Sequence, residues 1–509
     1  LGIAYAFSSA RRRAPWRVVV VGTLMQAYLA LFLVRPSWVP YVLPVAAALC
    51  LLGILLPPRA AEGSLPAFGR MMARALGYAG VFTALVYGAA LHRGPGVWLP
   101  ALAVVVAAGV VLARVPALRR PASTGFAAAG CVAAPALLLW GGLPNDFLFR
   151  ALDGIGRGVL WVVGFARQGT DFVFGGIARE SPFVFALDVS AIILLFSALM
   201  SVLYHVGFLP WLVGLLARFL HRGLGVSGAE SLSAAANVFV GQTEAPLVVR
   251  PYLDRMTRSE IMALMAGGFA TIAGSVLGVY ISMLDAARFA GGAAHLIAAS
   301  VMSAPASFVL AKLFLPETEE PETRAGAEAG KVRMGESFLD ALAGGVTAGV
   351  RLAVNVAAML LVFYALIEML NVAVSGVAQW LRPGAAITFQ DLYKWVFRPF
   401  AFLMGVPWED SLAAGELIGT KTIFNEFFAY ERLGGMVADG EIGVRGAVLS
   451  TYALCGFANF MSIGIQIGGL SALAPGRRAA FAKLALRAMI AGALACQLTA
   501  CIVGVIGDF

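Results

Sequence analysis

The chain has 509 residues, of which 60% are hydrophobic and 13% charged, about half the ~25% charged share of soluble domains. With a mean hydropathy of +0.85, this composition excludes a disordered chain and a soluble multidomain enzyme, and leaves a polytopic all-α membrane protein. The net charge of +9, from 37 Lys and Arg against 28 Asp and Glu, comes without a long basic run outside the apolar segments, so it reads as the Lys/Arg excess of cytoplasmic loops and not as nucleic-acid binding.

Residues 1–7 are apolar but too short to span, and a chain starting at Leu1 reads as beginning partway through a first transmembrane helix. The charge-free runs 18–34, 36–58, 75–91, 97–113 and 122–145 each approach the ~20 residues that cross a bilayer. Basic residues cluster in alternate loops: Arg11, Arg12, Arg13 and Arg17; then Arg59, Arg70 and Arg74; then Arg114, Arg119 and Arg120. The loops between hold only Arg35, then His92 and Arg93. The positive-inside rule makes the first set cytoplasmic and places 143–180 outside. Residues 145–180 mix Asp146, Arg150, Asp153, Arg157, Arg167 and Asp171 with Leu and Phe, the pattern of an amphipathic helix lying in the interface. A span follows at 183–205, carrying Asp188, and then a second amphipathic stretch, WLVGLLARFLHRGLG.

Further spans are expected at 261–284, 290–311, 343–367, 446–475 and 488–507, with Glu368 as an end-of-helix charge. PETEEPETRAGAEAGKVRMGES (316–337) is charged and rich in Pro, Glu and Ala, an exposed linker expected on the cytoplasmic side. The five Cys (Cys50, Cys131, Cys455, Cys496, Cys501) form no CxxC pair, and the four His (His92, His205, His221, His295) show no ligand spacing. No metal cluster or disulfide framework is expected from them.

Two stretches are polar where their surroundings are membrane-like: SLSAAANVFVGQTEAPLVVRPYL (231–253) and GELIGTKTIFNEFFAYERL (415–433). Each holds an embedded acid, Glu244 or Glu426, beside helix-breaking or small residues, Gly241 and Pro246 or Gly415 and Gly419. Taken alone, either is also compatible with a cytoplasmic loop followed by an ordinary helix. Irregular backbone at membrane depth requires burial in protein or a watery cavity, and a carboxylate there is by default a functional candidate. Both stretches precede a span containing Gly-Phe-Ala and then a hydroxyl or amide residue, Thr271 in GGFATIAGS and Asn459 in CGFANFMSIG. The spans leading into the two copies run in opposite directions, the arrangement of inverted repeats whose broken helices meet near the midplane of a secondary transporter.

At these residues the sequence resembles the concentrative nucleoside transporters. The resemblance is carried by 231–253, by MAGGFATIAGSVLGVYISM (265–283), by GELIGTKTIFNEFFAYE (415–431) and by TYALCGFANFMSIGIQIGGLSALAPGRR (451–478), with LGIAYAFSSARRR and DFVFGGIARE also fitting. It implies an inverted-repeat transporter with two re-entrant hairpins, broken helices and interfacial helices, assembled as a homotrimer in the cell membrane. It implies uptake of nucleosides driven by a sodium or proton gradient, sodium being favoured, by an elevator-like shift of a transport domain against a scaffold. Carried over residue by residue, it puts Gln242, Thr243 and Glu244 at the nucleobase, Val276 in the base pocket, Glu426, Asn459 and Ser462 at the ribose, and Phe457 at an aromatic wall. It assigns a sodium site to the side chains of Asn237 and Thr271 with the carbonyls of Val240 and Ile272.

The residue types suit these roles. Ribose hydroxyls can donate to an ionised carboxylate, and amide and hydroxyl groups match a base edge. Local helix-end hydrogen bonding is the ordinary alternative for Asn237 and Thr271. A proton carried on a buried carboxylate is the alternative to sodium. Nucleobases or other nucleoside-like solutes are the alternative substrates. A passive channel, or a membrane enzyme using Glu244 and Glu426 as acid and base, would be a different class, but no nucleophile, metal cluster or phosphate loop accompanies the two acids. The chain thus divides into helix ends at 1–35, an inserted block of four transmembrane helices at 36–145, an interfacial helix and first repeat at 146–315, the linker at 316–337 and the second repeat at 338–509. The block at 36–145 departs from the family pattern and is expected at the lipid-facing periphery.

Overall fold

A computed structural model of the chain describes residues 1–10, 13–34, 147–175, 185–327, 335–384 and 387–507. The expected inserted block at 36–145 lies outside the described residues. The regular elements among them are all helices, and five helical segments are long and apolar enough to cross a bilayer. Short α1 (Gly2–Ala6) and α2 (Trp16–Val34) precede α3 (Phe147–Phe174), a 28-residue amphipathic helix where the interfacial one was expected.

Two runs of elements then follow in the same order. The first comprises α4 (Phe185–His205), the amphipathic α5 (Phe208–Leu224), and a hairpin of α6 (Gly228–Asn237) with the short turns α7 (Ala245–Val248) and α8 (Arg250–Leu253). A broken helix, α9 (Arg258–Ala270) and α10 (Gly274–Ala286), and then α11 (Gly292–Phe314) complete it. The second run is α12 (Phe338–Leu381), the amphipathic α13 (Phe389–Leu403), the hairpin α14 (Ser411–Ile423) and α15 (Glu426–Ala438), the broken helix α16 (Val444–Leu454) and α17 (Phe460–Leu473), and α18 (Arg478–Ile506). This is the inverted-repeat arrangement.

Two expectations are corrected. The span placed at 343–367 runs the full 44 residues to Leu381. Glu368 is exposed within it, because nothing between it and Pro383 breaks a helix. The linker is not wholly exposed, since Pro316 and Thr323 are buried and Thr323 fastens it to the first hairpin.

Small residues set the packing. Gly345 and Gly349 of α12 form a GxxxG face against α4, where a Cβ would come within 2.7 Å of Ala198 Cα or 2.9 Å of Leu194 Cα. Such faces let membrane helices approach closely and gain van der Waals contact. Ser201 Oγ adds a hydrogen bond to the Ala341 carbonyl at 2.7 Å. In the buried centre, α9 lies against α18 at Gly492, where a Cβ would sit 2.5 Å from that of Phe269.

The base of the first hairpin is tied by two capping boxes, Ser227 with Glu230 and Thr257 with Glu260. Each satisfies orphan N–H groups at a helix start. Ser227 Oγ also donates to Glu260 Oε1 at 2.5 Å, and Lys312 Nζ lies 2.7 Å from Glu230 Oε2 and 3.4 Å from Glu317 Oε2. The Gly228 N–H donates to the Thr323 carbonyl at 2.8 Å, which is how the linker closes over this cluster.

Candidate substrate and ion site

Each hairpin places a carboxylate at its turn. In the first, α6 ends at Asn237, the chain is irregular from 238 to 244, and the Gly241 N–H donates to Glu244 Oε2 at 2.6 Å. In the second, the break is confined to Phe424 and Asn425. Asn425 caps α15 by accepting from the Phe428 N–H at 3.0 Å, which leaves Glu426 in the first turn. The positive end of a helix dipole favours a carboxylate at that position.

The two broken helices cross beside these turns. α9 stops at Thr271, and the gap Thr271–Ala273 is non-helical. In the second repeat the gap is 455–459, and Asn459 restarts the chain as the N-cap of α17, accepting from the Ser462 N–H at 2.8 Å. Gly456 adopts φ +151°, a conformation side chains disfavour, and a Cβ on it would lie 2.7 Å from the Phe269 carbonyl oxygen. That near contact allows the Phe457 N–H to donate to the Thr271 carbonyl at 3.2 Å. The first hairpin joins the same crossing, because the Gly274 N–H donates to the Phe239 carbonyl at 3.1 Å.

A cavity of about 820 Å³ opens at this crossing and runs along α12 to Gly335 and Asp340 beside the linker. Gln242, Thr243, Glu244, Val276, Glu426, Phe457 and Ser462 all line it, as does Val240. Asn459 is fully buried behind it, its Nδ2 donating to Glu426 Oε2 at 3.0 Å. Every substrate residue named from the sequence is therefore gathered at one place.

Tyr280, Asn355 and Gln466 were not anticipated. Tyr280 donates its hydroxyl to Glu426 Oε1 at 2.9 Å, so that carboxylate is hydrogen-bonded through both oxygens. Each oxygen has two acceptor sites, which leaves capacity for hydroxyls from the cavity. Asn355 lines the cavity from α12. Gln466 donates through Nε2 to the Met265 carbonyl at 3.0 Å, while its Oε1 is buried without a hydrogen bond, as is Oε1 of Gln242. Buried oxygens without partners are costly, and that of Gln242, which lines the cavity, is an acceptor available to a ligand carrying N–H groups.

The expected ion residues also converge. Asn237 is buried beside Gly267 in the last turn of α9, and its Oδ1 has no hydrogen-bond partner. Thr271 Oγ1 donates to the Gly267 carbonyl at 2.9 Å, which is the local helix-end bond, and its lone pairs are left free to accept. Val240 and Ile272 lie on the two non-helical segments, where main-chain carbonyls are released from helical pairing. All these donors are neutral oxygens, the set a hard monovalent cation prefers. Among the described residues no group of three or more His, Cys, Asp or Glu could hold a transition metal. His221 Nδ1 lies 2.7 Å from the Val226 carbonyl and His295 Nδ1 lies 3.2 Å from Tyr452 Oη, contacts that hold helices together.

Known proteins share both the sequence and the fold. Residues 1–50 match the family described as "Na+ dependent nucleoside transporter N-terminus", residues 186–287 that described as "Nucleoside recognition", and residues 295–504 "Na+ dependent nucleoside transporter C-terminus". The chain is 42% identical over 375 residues to "Solute carrier family 28 member 3" of Mus musculus, covering 71% of this chain and 52% of that protein. It is 43% identical over 377 residues to "Sodium/nucleoside cotransporter 1" of Rattus norvegicus, covering 70% of this chain and 56% of that one. It thus spans about half the length of these relatives. Among solved structures, CNTnw in an inward-facing substrate-bound state aligns with a TM-score of 0.71 at 32% identity, covering 99% of this chain and 94% of that one. An outward-facing state of a CNTnw variant aligns with a TM-score of 0.70 at 31% identity over the same shares.

Proposed function

Because the chain belongs to the Na+-dependent nucleoside transporter family, we propose that it is a symporter that imports nucleosides across the cell membrane on a sodium gradient, and not an enzyme. The observation that carries this reading is the pairing of two adjacent sites at one helix crossing. One is a cavity with a doubly hydrogen-bonded carboxylate, Glu426. The other is a cluster of neutral oxygens around the unpartnered Oδ1 of Asn237.

In this reading the ribose hydroxyls donate to Glu426, with Asn459 and Ser462 beside it. The base lies between Gln242, Thr243, Glu244 and Val276, and Phe457 supplies an apolar wall. A site built to hydrogen-bond a substrate rejects analogues lacking the group. Sodium is held by Asn237 and Thr271 with the carbonyls of Val240 and Ile272. The bound ion favours the irregular geometry of α6 and α9 on which the Gly274–Phe239 hydrogen bond depends. Occupancy of one site therefore prepares the other. The cavity's extension toward Gly335 and Asp340, at the end of the linker that the charge pattern places in the cytoplasm, corresponds to an inward-open arrangement. Alternation of access would then move the two hairpins and broken helices against α4 and α12, and assembly is proposed as a homotrimer.

The test is uridine uptake into proteoliposomes with an imposed sodium gradient at fixed pH. Accumulation that follows the sodium gradient and collapses with a sodium ionophore is expected. Uptake driven instead by a proton gradient, or equilibration without accumulation, overturns the coupling.

A further inference from the structure

Lys312 and Lys421 are both almost completely buried, at 3% and 2% exposure. A buried ammonium must be paired to be tolerated. Lys312 has Glu230 at 2.7 Å. Lys421, in the second hairpin, instead donates to a main-chain carbonyl, that of Ala453, at 2.8 Å.

That carbonyl is free for a specific reason. Ala453 is the penultimate residue of α16, and in an unbroken helix its oxygen would accept from the N–H of residue 457. The Phe457 N–H is turned away and donates to the Thr271 carbonyl. The lysine ammonium takes up the bond that the break leaves unmade. The last turn of a helix also carries partial negative charge, which favours a cation.

The first repeat has the matching arrangement without the lysine. There too the first hairpin helix, α6, meets the end of a broken helix, α9. What it presents is Asn237, with an unpartnered oxygen, against Thr271. We infer that Lys421 is a tethered cation, standing in the second repeat where the first takes up a mobile one, and that it is a positioning residue joining the two sites. It holds the α16 break in the shape that lets Phe457 reach Thr271, and it lies five residues before Glu426, with which it interacts electrostatically. The inference rests on the sodium reading above.

Lys421→Gln retains a hydrogen-bond donor and removes the charge, so it separates the two contributions. Uridine and sodium binding are measured by calorimetry on purified, monodisperse protein, with the wild type alongside. In Lys421→Gln both the uridine dissociation constant and the half-saturating sodium concentration are expected to rise about tenfold or more, on the scale of a charged hydrogen bond. In Lys421→Ala, ethylammonium, but not choline, is expected to restore both in part. Lys421→Gln that binds uridine and sodium as the wild type does overturns the inference. So does Lys421→Ala that ethylammonium does not rescue. If Lys421→Gln does not fold, Lys421→Ala purified throughout in ethylammonium decides: recovery of sodium-dependent uridine binding supports a tethered cation, and its absence rejects it. A wild type that binds uridine regardless of sodium overturns the sodium reading itself, and the inference with it.

Discussion

The main-chain N–H of Phe457 reaches the main-chain carbonyl of Thr271 across 3.2 Å, joining the break of one repeat to the break of the other. One residue belongs to the proposed substrate wall and the other to the proposed sodium site. Coupling between the two needs no long path, because they share a hydrogen bond.

Thr271→Ala and Asn237→Ala each remove one neutral oxygen from the proposed ion site while leaving the cavity wall intact. Each is expected to raise the sodium concentration for half-maximal uridine uptake about tenfold, or ~1.4 kcal/mol. Most of the maximal rate should return at saturating sodium. Uptake measured against sodium at fixed uridine checks this. An unchanged sodium dependence in both variants would leave the ion elsewhere.

Glu426→Gln keeps the side chain's volume and removes its charge. The KM for uridine is expected to rise by a factor of about 10–100, corresponding to ~1.5–3 kcal/mol for hydrogen bonds to a charged group. Discrimination between uridine and its 2′- and 3′-deoxy analogues should shrink with it. Tyr280→Phe removes only the neutral donor 2.9 Å from Glu426 Oε1, so a smaller loss of about 1 kcal/mol is expected. Competition of labelled uridine uptake by the deoxy analogues measures both.

Gly456→Ala places a methyl group against the Phe269 carbonyl at a backbone angle of +151°. Strain and overpacking together are expected to cost about 1–3 kcal/mol or more. A lowered melting temperature in detergent should show it. Gly464, inside α17 and with open space where a Cβ would go, makes the control, since Gly464→Ala should melt at or slightly above the wild type.

Lys312→Met strands Glu230 and its neighbours without a counter-charge. Breaking such a buried pair costs about 3–5 kcal/mol, whereas replacing both partners by apolar groups costs much less. Lys312→Met is therefore expected to melt well below the Lys312→Met, Glu230→Leu double variant. Equal melting temperatures would mean that the pair contributes little.

The hairpins are legible because polar residues at membrane depth have few structural uses. Glu244 and Glu426 stand out for that reason, the two GFA segments reveal the repeat, and the opposed directions of the spans before them show its inversion. Tyr280 is not legible: a lone Tyr in the charge-free run of α10 reads as core packing, and only the fold brings it to a residue 146 positions away. Lys421 reads as one more polar residue of the second hairpin, because only the fold brings it to the carbonyl that the break frees, 32 positions away. The helix α13 does not figure among the expected elements, although Thr388 and Asp391 form a capping box at its start, a signal carried by residue types and spacing alone. Lys394 beside that Asp holds its carboxyl down at about 2, so the cap persists across the physiological range and is lost only as pH falls toward that value. Burial of the linker at Thr323 depends on a long-range contact with Gly228, which composition could not reveal.

The first hairpin is fastened at both ends. Its base is clamped by Lys312, Glu260 and Thr323, and its turn is bonded to Gly274. A segment held in this way behaves as a passenger and not as a door. In the proposed transport cycle, opening the cavity to one side and then the other therefore falls to the surface along which the hairpins and broken helices meet α4 and α12, whose own seam at Gly345 and Gly349 holds the frame together.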